Sequence, residues 1–272
     1  MNFPPRKLRR SRVLEALRAG RSATCFKFNL SDPRAVEIAG MEGVDAAWLC
    51  NEHVPGDWLN LENQIRAARV HDRDSFVRVA KGGYSEYIRP LEAGATGIMV
   101  PHVSTAAEAR QVVAWTRFMP VGRRAMDGGN TEGAYCGVPL ADYIAHTLAE
   151  QFIILQIESP EALENVEEIA AVPGFDLLCF GPGDFSHLIG KPGQVTAPEV
   201  VAARQRVARA ARSNGKWAMA AGMFAPRAVL EREGHALFGV GADVVGLAAY
   251  VRAGVRAFHD AGPAPPAIAP GS

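Results

Sequence analysis

The chain is short of lysine, shorter of cysteine, and carries no net charge. Its 272 residues balance 29 Lys+Arg against 29 Asp+Glu, so the usual electrostatic ground for nucleic-acid binding, a basic face that neutralises phosphates, is missing. No run approaches the roughly 18 continuous apolar residues of a membrane-spanning helix, and the N-terminus lacks a signal peptide's apolar segment. A cytoplasmic protein is expected. Cys25, Cys50, Cys136 and Cys179 stand far apart with no CxxC pair, which excludes the common zinc and dithiol patterns and leaves free, reduced thiols as the default. Neither GxGxxG nor GxxxxGK[ST] occurs, and that weakens any nucleotide-binding open sheet.

The composition that remains, 48% hydrophobic and 21% charged, is that of a globular chain long enough for one large core. Short apolar runs alternate with amphipathic ones. Strands are predicted at TCFKFNL (24–30), DAAWLCN (45–51), SFVRVA (75–80), TGIMVPHV (96–103), QFIILQIE (151–158), FDLLCFG (175–181), KWAMAAG (216–222) and ADVVGLA (242–248). Helix starts are signalled by Ser31-Asp32-Pro33, Thr105 with Glu108, Ser159-Pro160 and Thr196 with Glu199, since a side-chain oxygen and a returning carboxylate satisfy free backbone N–H groups. Leu163, Val166, Ile169 and Ala170 mark the buried stripe of the fifth helix. Eight such alternations predict an α/β fold, a (β/α)8 TIM barrel, over a doubly wound sheet.

The domain reading is a basic helix at 1–20, the barrel at 21–260 and a loose Pro/Ala-rich tail at 261–272. Five basic residues between Arg6 and Arg12 lead into a helix with Val13, Leu14 and Leu17 on one face. It is read as a solvated helix end rather than a nucleic-acid arm. Pro120–Pro139 holds five glycines and reads as a long functional loop, with Arg123 and Arg124 as a lid over substrate.

In such a barrel the chemistry sits where strands end. Those ends carry Asn51, Glu52 and His53 after strand two, Arg78 in strand three, His102 after strand four, Gln156 and Glu158 in strand five, and Gly183-Asp184 after strand six. Glu158 caps an apolar run and needs a cation there, or it merely opens the next helix in the favourable field of the helix dipole. Asp184 alone fits a turn or an N-cap. Together the two carboxylates are better explained as oxygen ligands for a hard divalent ion. Arg78 points either into the mouth as an oxyanion partner or outward to a surface pair. His53 is either a hydrogen-bonded core residue or a general base. His102 and His187 have weaker claims.

The strings EHVP, GIMVPHV, PVGRR, QIES and GPGDFS, in this order over about residues 24–258, resemble the class II 2-oxo-acid aldolases of the 4-hydroxy-2-oxoheptanedioate (HpcH/HpaI) family. The resemblance implies a phosphoenolpyruvate/pyruvate-type barrel, a homo-oligomer built as a hexamer of dimers exchanging the last helix, and reversible cleavage of a 4-hydroxy-2-oxo acid to pyruvate, or a related 2-oxo acid, and an aldehyde. It implies Mg²⁺, Mn²⁺ or Co²⁺ on Glu158 and Asp184, Arg78 against the oxo acid, His53 as base, Gln156 as a polar lining residue, and the Gly183 and Asp184 backbone against the substrate carboxylate. Two positions depart from the family. Cys50 stands where an Asp usually orients the base, with Glu52 and Asp57 the nearest other carboxylates, and the usual RGxG is replaced by Arg123-Arg124-Ala125-Met126. Of the five lysines, Lys27 and Lys81 keep a Schiff-base route open. Other readings are a lyase or hydrolase acting on another oxo acid or a CoA thioester, and a non-catalytic oxo-acid-binding barrel.

Overall fold

The computed structural model describes residues 7–54 and 56–260; the 261–272 tail lies outside them. In chain order the elements are α1 (Arg12–Arg18), β1 (Ala23–Phe28), α2 (Pro33–Met41), β2 (Ala46–Cys50), α3 (Trp58–Val70), β3 (Asp74–Arg78), α4 (Tyr84–Glu92), β4 (Gly97–Val100), α5 (Ala106–Thr116), α6 (Leu140–Glu150), β5 (Phe152–Ile157), α7 (Pro160–Glu164), α8 (Val166–Ala171), β6 (Leu177–Phe180), α9 (Pro182–Leu188), α10 (Pro198–Ser213), β7 (Trp217–Ala220), α11 (Arg227–Glu233), β8 (His235–Ala242) and α12 (Asp243–Asp260). The strands run β1 to β8 in a closed barrel, each parallel to its neighbours and β8 returning to β1. This is the expected (β/α)8 architecture.

Alternation along each strand sorts side chains into two cores. Cys25, Trp48, Phe76, Met99, Ile154 and Cys179 point inward, and Trp48, Phe76 and Phe152 stack or meet edge-on across the interior with centroids 5.9 Å apart at each contact. Leu49, Val77, Ile98, Leu155 and Leu178 point outward and pack on Ile65, Leu91, Val112, Ile169 and Val207 of the helices. The inward parity, carried to the strand ends, sends Lys27, Cys50, Arg78, Gln156 and Glu158 into the mouth.

Three expected helix starts are capped as read: Asp32 accepts from Arg34 N–H, Thr105 from Glu108 N–H, and Ser159 from Ala162 N–H. Thr196 is not a cap; α10 starts after Ala197 without a side-chain bond, and Glu199 pairs with Lys191 instead. The fifth-helix stripe is divided between α7 and α8, with Val166, Ile169 and Ala170 fully buried.

Two readings need correction. Helix α1 is not a solvated end: Val13, Leu14, Ala16 and Leu17 are buried and join the interior cluster as the barrel floor. Its start is anchored by buried Asp74, which accepts from Ser11 Oγ (2.6 Å), Val13 N–H (2.9 Å) and Arg9 Nη2 (2.5 Å), while Lys7 and Arg10 stay exposed. The last strand is His235–Ala242, and ADVVGLA opens α12. That strand is easy to overlook because it needs glycine at close approaches. A Cβ on Gly239 would lie 2.8 Å from Ala221 O, and one on Gly241 2.6 Å from the Phe26 ring. No described helix is long and apolar enough to cross a membrane.

Candidate active site

Glu158 follows β5 and is 2% exposed. Its Oε1 accepts from His102 N–H (2.7 Å) and lies 3.1 Å from His102 Nδ1, while its Oε2 accepts from Gln156 Nε2. His102 can reach this carboxylate with both backbone and ring because it occupies the left-handed region, φ 54°, a conformation a non-glycine residue adopts at some expense. Gly181 is needed in turn: a Cβ there would lie 2.6 Å from Glu158 Cβ and 2.9 Å from Gln156 Nε2.

The other ring nitrogen of His102, Nε2, lies 3.2 Å from Glu52 Oε1. Glu52 Oε2 is 3.1 Å from Arg78 Nε and 3.4 Å from His53 Nε2. A continuous chain of contacts, Glu158–His102–Glu52–Arg78 with His53 as a branch, thereby joins the ends of β5, β4, β2 and β3. Arg78 is buried; its Nη2 donates to Cys50 Sγ at 3.1 Å, and its guanidinium carbon lies 5.4 Å from the Trp48 ring centre. Lys27 Nζ is 5.5 Å from the same ring.

Burial dominates the electrostatics. It pushes the Glu158 carboxyl up to about 7, with Asp184 and Glu52 adding repulsion against the relief given by His102. Burial and the neighbouring Arg78 pull the Lys27 ammonium down. For Cys50 burial acts upward, but the Arg78 guanidinium and the N–H groups of His53 and Glu52 outweigh it and bring the thiol below its ordinary value.

Arg78 and Gln156 turn inward as their strand parity requires, and Gln156 Oε1 is a buried acceptor without a hydrogen-bond partner among the described residues. Asp184 lies in the first turn of α9, exposed and close enough to repel Glu158. The space over Gly183 is open: a Cβ there meets nothing within 4 Å. His53 is exposed and touches Glu52, whereas Asp57 is occupied as the N-cap of α3. Arg124 overturns its reading as a lid residue. It is buried in a two-pronged pair with Glu132 (2.9 and 2.5 Å), which Tyr143 and Gln151 also hold, so it anchors the loop and cannot swing over substrate. Arg123 is exposed on that loop.

Three comparisons bear on this arrangement. The family model for HpcH/HpaI aldolase/citrate lyase matches residues 24–245. The chain belongs to that family. A hydroxypyruvate/pyruvate aldolase of Pseudomonas aeruginosa is 31% identical over 261 residues, covering 94% of this chain and 96% of the relative. A 5-keto-4-deoxy-D-glucarate aldolase of Klebsiella pneumoniae is 35% identical over 187 residues, covering 69% and 72%. Among solved structures, an HpcH/HpaI aldolase from Desulfitobacterium hafniense superposes with a TM-score of 0.84 at 28% identity, over 90% of this chain and 96% of that one.

Within this HpcH/HpaI barrel, sequence reasoning underrated Glu52 and His102, the two residues that link the others. The signal for Glu52 was parity, since two residues past inward-facing Cys50 a side chain returns to the mouth. His102 carried no such signal, because its reach depends on a positive φ.

Proposed function

We propose that the protein is a divalent-metal-dependent aldolase that reversibly cleaves a 4-hydroxy-2-oxo acid to pyruvate, or a close 2-oxo acid, and an aldehyde. The observation that carries this reading is the contact chain Glu158–His102–Glu52–Arg78, which brings a buried carboxylate, a fixed cation and a branching histidine to one barrel mouth. Among the described residues no group of three or more His, Cys, Asp or Glu is arranged to hold a metal. The donor set nevertheless suits a hard ion: Glu158 and Asp184 are oxygen ligands whose mutual repulsion a cation relieves, Gln156 Oε1 is an unpaired acceptor beside them, and water and substrate oxygens complete the shell. When bound, Mg²⁺, Mn²⁺ or Co²⁺ supplies Lewis-acid stabilisation of the charge that develops on the 2-oxo oxygen.

The chain's own residues do the rest. Arg78 offers a planar cation to the 2-oxo oxygen as it becomes an enolate, where a pre-oriented charge lowers the barrier most. His53 takes the proton from the 4-hydroxyl, and Glu52 stabilises the resulting imidazolium, the part an orienting carboxylate plays in such pairs. Gln156 holds Glu158, and the Gly183–Asp184 backbone borders the substrate carboxylate. Arg123 is the loop cation left to close over the aldehyde.

We also infer a homo-oligomer. Helix α12 buries no residue, its Tyr250 and Phe258 are 81% and 77% exposed, and a groove of about 710 Å³ lined by Phe26, Phe28, Ile38, Val240 and Leu247 opens at its base. A second copy of the helix fits that apolar surface. A cytoplasmic setting suits four free cysteines.

The test is release of pyruvate from a panel of 4-hydroxy-2-oxo acids, read by coupled reduction, before and after chelation. Loss on chelation and recovery with Mn²⁺ support the proposal; full activity in metal-free protein contradicts it. A second reading has one observation behind it, Lys27 inside the mouth with its ammonium pulled down. A pyruvate adduct trapped on Lys27 by borohydride selects that Schiff-base route.

A further inference from the structure

Cys50 ends β2 in register with Arg78 of β3, and Arg78 Nη2 donates to its sulfur at 3.1 Å, with the backbone N–H groups of Glu52 and His53 adding to the pull that lowers the thiol. The other two buried thiols behave differently. Cys25 and Cys179 are fully buried, burial pushes both up, and Cys179 Sγ donates to Phe180 O at 3.8 Å. A sulfur that donates keeps its proton, whereas one that accepts from a guanidinium is favoured as the anion. The charges around Cys50 are Arg78 from β3, Lys27 from β1, and Glu52 and His53 from the segment that follows it. The two cations belong to strands that pair with β2 on either side.

We propose that Cys50 is a thiolate that positions Arg78, accepting from its Nη2 edge while the Glu52 carboxylate stands as a counter-ion 3.1 Å from Nε, so that the fork meets the substrate oxyanion in one orientation. This rests on the reading of Arg78 as the cation for the oxo acid. The Trp48 ring restrains the guanidinium from a third direction; Nη2 is hydrogen-bonded before substrate arrives, while Nε, beside Glu52, makes no hydrogen bond. An anion at Cys50 adds to Glu52 and Asp243 in offsetting the two cations Lys27 and Arg78. The same geometry makes Cys50 the nucleophilic thiol of the mouth. Its sulfur displaces iodide from iodoacetamide to form a thioether, and the bulk of that adduct separates Arg78 from its acceptor.

The test uses the full chain carrying Cys136→Ser, which removes the exposed cysteine of the 120–139 loop. Carbamidomethylation of one thiol per chain is followed against pH together with the ultraviolet absorbance of the thiolate. The midpoint is expected below that of an ordinary thiol, and Arg78→Met should move it upward. In pyruvate proton exchange, Cys50→Ala should lower kcat/KM about ten- to a hundred-fold, the effect of losing a hydrogen bond to a charged group, with KM carrying much of the loss. Cys50→Asp should restore most of it, and the isosteric but neutral Cys50→Ser should not. An ordinary midpoint that ignores Arg78→Met overturns the proposal, and so does a serine variant as good as the aspartate one. The alkylation arm needs no substrate, so its failure removes the ion pair whatever the protein catalyses. A shifted thiol in a protein that exchanges no pyruvate protons overturns the aldolase reading instead.

Discussion

Replacing Glu158 with Gln should stabilise the metal-free protein at alkaline pH. The folded state holds this carboxyl at about 7 against an ordinary 4.5, and at 1.36 kcal/mol per pH unit the ionised group costs the fold about 3 kcal/mol. The sign follows from proton counting. Below 4.5 folded and unfolded chains both carry the proton and no penalty exists; between 4.5 and 7 only the folded chain keeps it; above 7 the folded chain surrenders it and the full cost is felt. Glutamine cannot ionise, but its single carbonyl serves only one of the two groups now bonded, His102 N–H and Gln156 Nε2, a loss of about 1 kcal/mol. The net gain at pH 8 is then about 2 kcal/mol, or about 4–8 °C in Tm for a chain of this size. Calorimetry of both proteins from pH 4 to 8, in chelator and then in Mn²⁺, isolates the effect, because other titrating groups cancel in the difference. The gap should open between about pH 4.5 and 7, stay level above that, and close on adding metal, since the ion stabilises only the protein that keeps the carboxylate. A difference that is flat with pH, or equal stabilisation of both proteins by metal, would refute the reasoning.

Further outcomes follow from the same geometry. Arg78→Lys should cut kcat/KM for proton exchange about a hundred-fold with a nearly unchanged Tm, because the ammonium lacks the planar fork held by Cys50 and Glu52; a large Tm loss with turnover intact would mark Arg78 as structural. Glu132→Ala strands buried Arg124 and should destabilise the protein by about 3–5 kcal/mol in urea unfolding, whereas less than about 1 kcal/mol would mean that Arg124 finds water. Gly239→Ala drives a methyl against Ala221 O and should cost about 1–3 kcal/mol by the same measurement. Tyr250→Glu combined with Phe258→Glu should shift sedimentation toward a monomer; an unchanged assembly would remove α12 from the interface.

Much of the barrel was legible because parallel strands buried on both faces are written as apolar runs such as FIILQI, and caps such as Thr105 and Ser159 mark the returns. What escaped did so for physical reasons. The eighth strand carries glycine at its tightest contacts, so its composition argues against β structure even as its packing demands it. Helix α1 looked solvated because its arginines are conspicuous, while the residue that anchors its start through Arg9, Ser11 and Val13, Asp74, lies some sixty residues away in sequence. In the mouth, the strand ends and the family resemblance pointed to Arg78 and Gln156, but the link through His102 depends on one left-handed residue. At Cys50 the expectation of a missing anion gave way to a sulfur that faces Arg78 rather than His53, and Glu52 took the place beside the histidine. Arg124 was misread because a loop arginine suggests solvent, and only the fold reveals Glu132, Tyr143 and Gln151 around it.

The central proposal, that this mouth stabilises a 2-oxo-acid enolate and that Glu158 and Asp184 would hold the divalent ion that assists it, is tested most directly by proton NMR of pyruvate in D₂O. The methyl signal should decay with Mg²⁺-loaded wild-type protein, persist in chelator, and persist with Asp184→Asn or Glu158→Gln at matched folded concentration. Exchange that continues unchanged in verified metal-free protein, or in either carboxylate variant, would contradict the account.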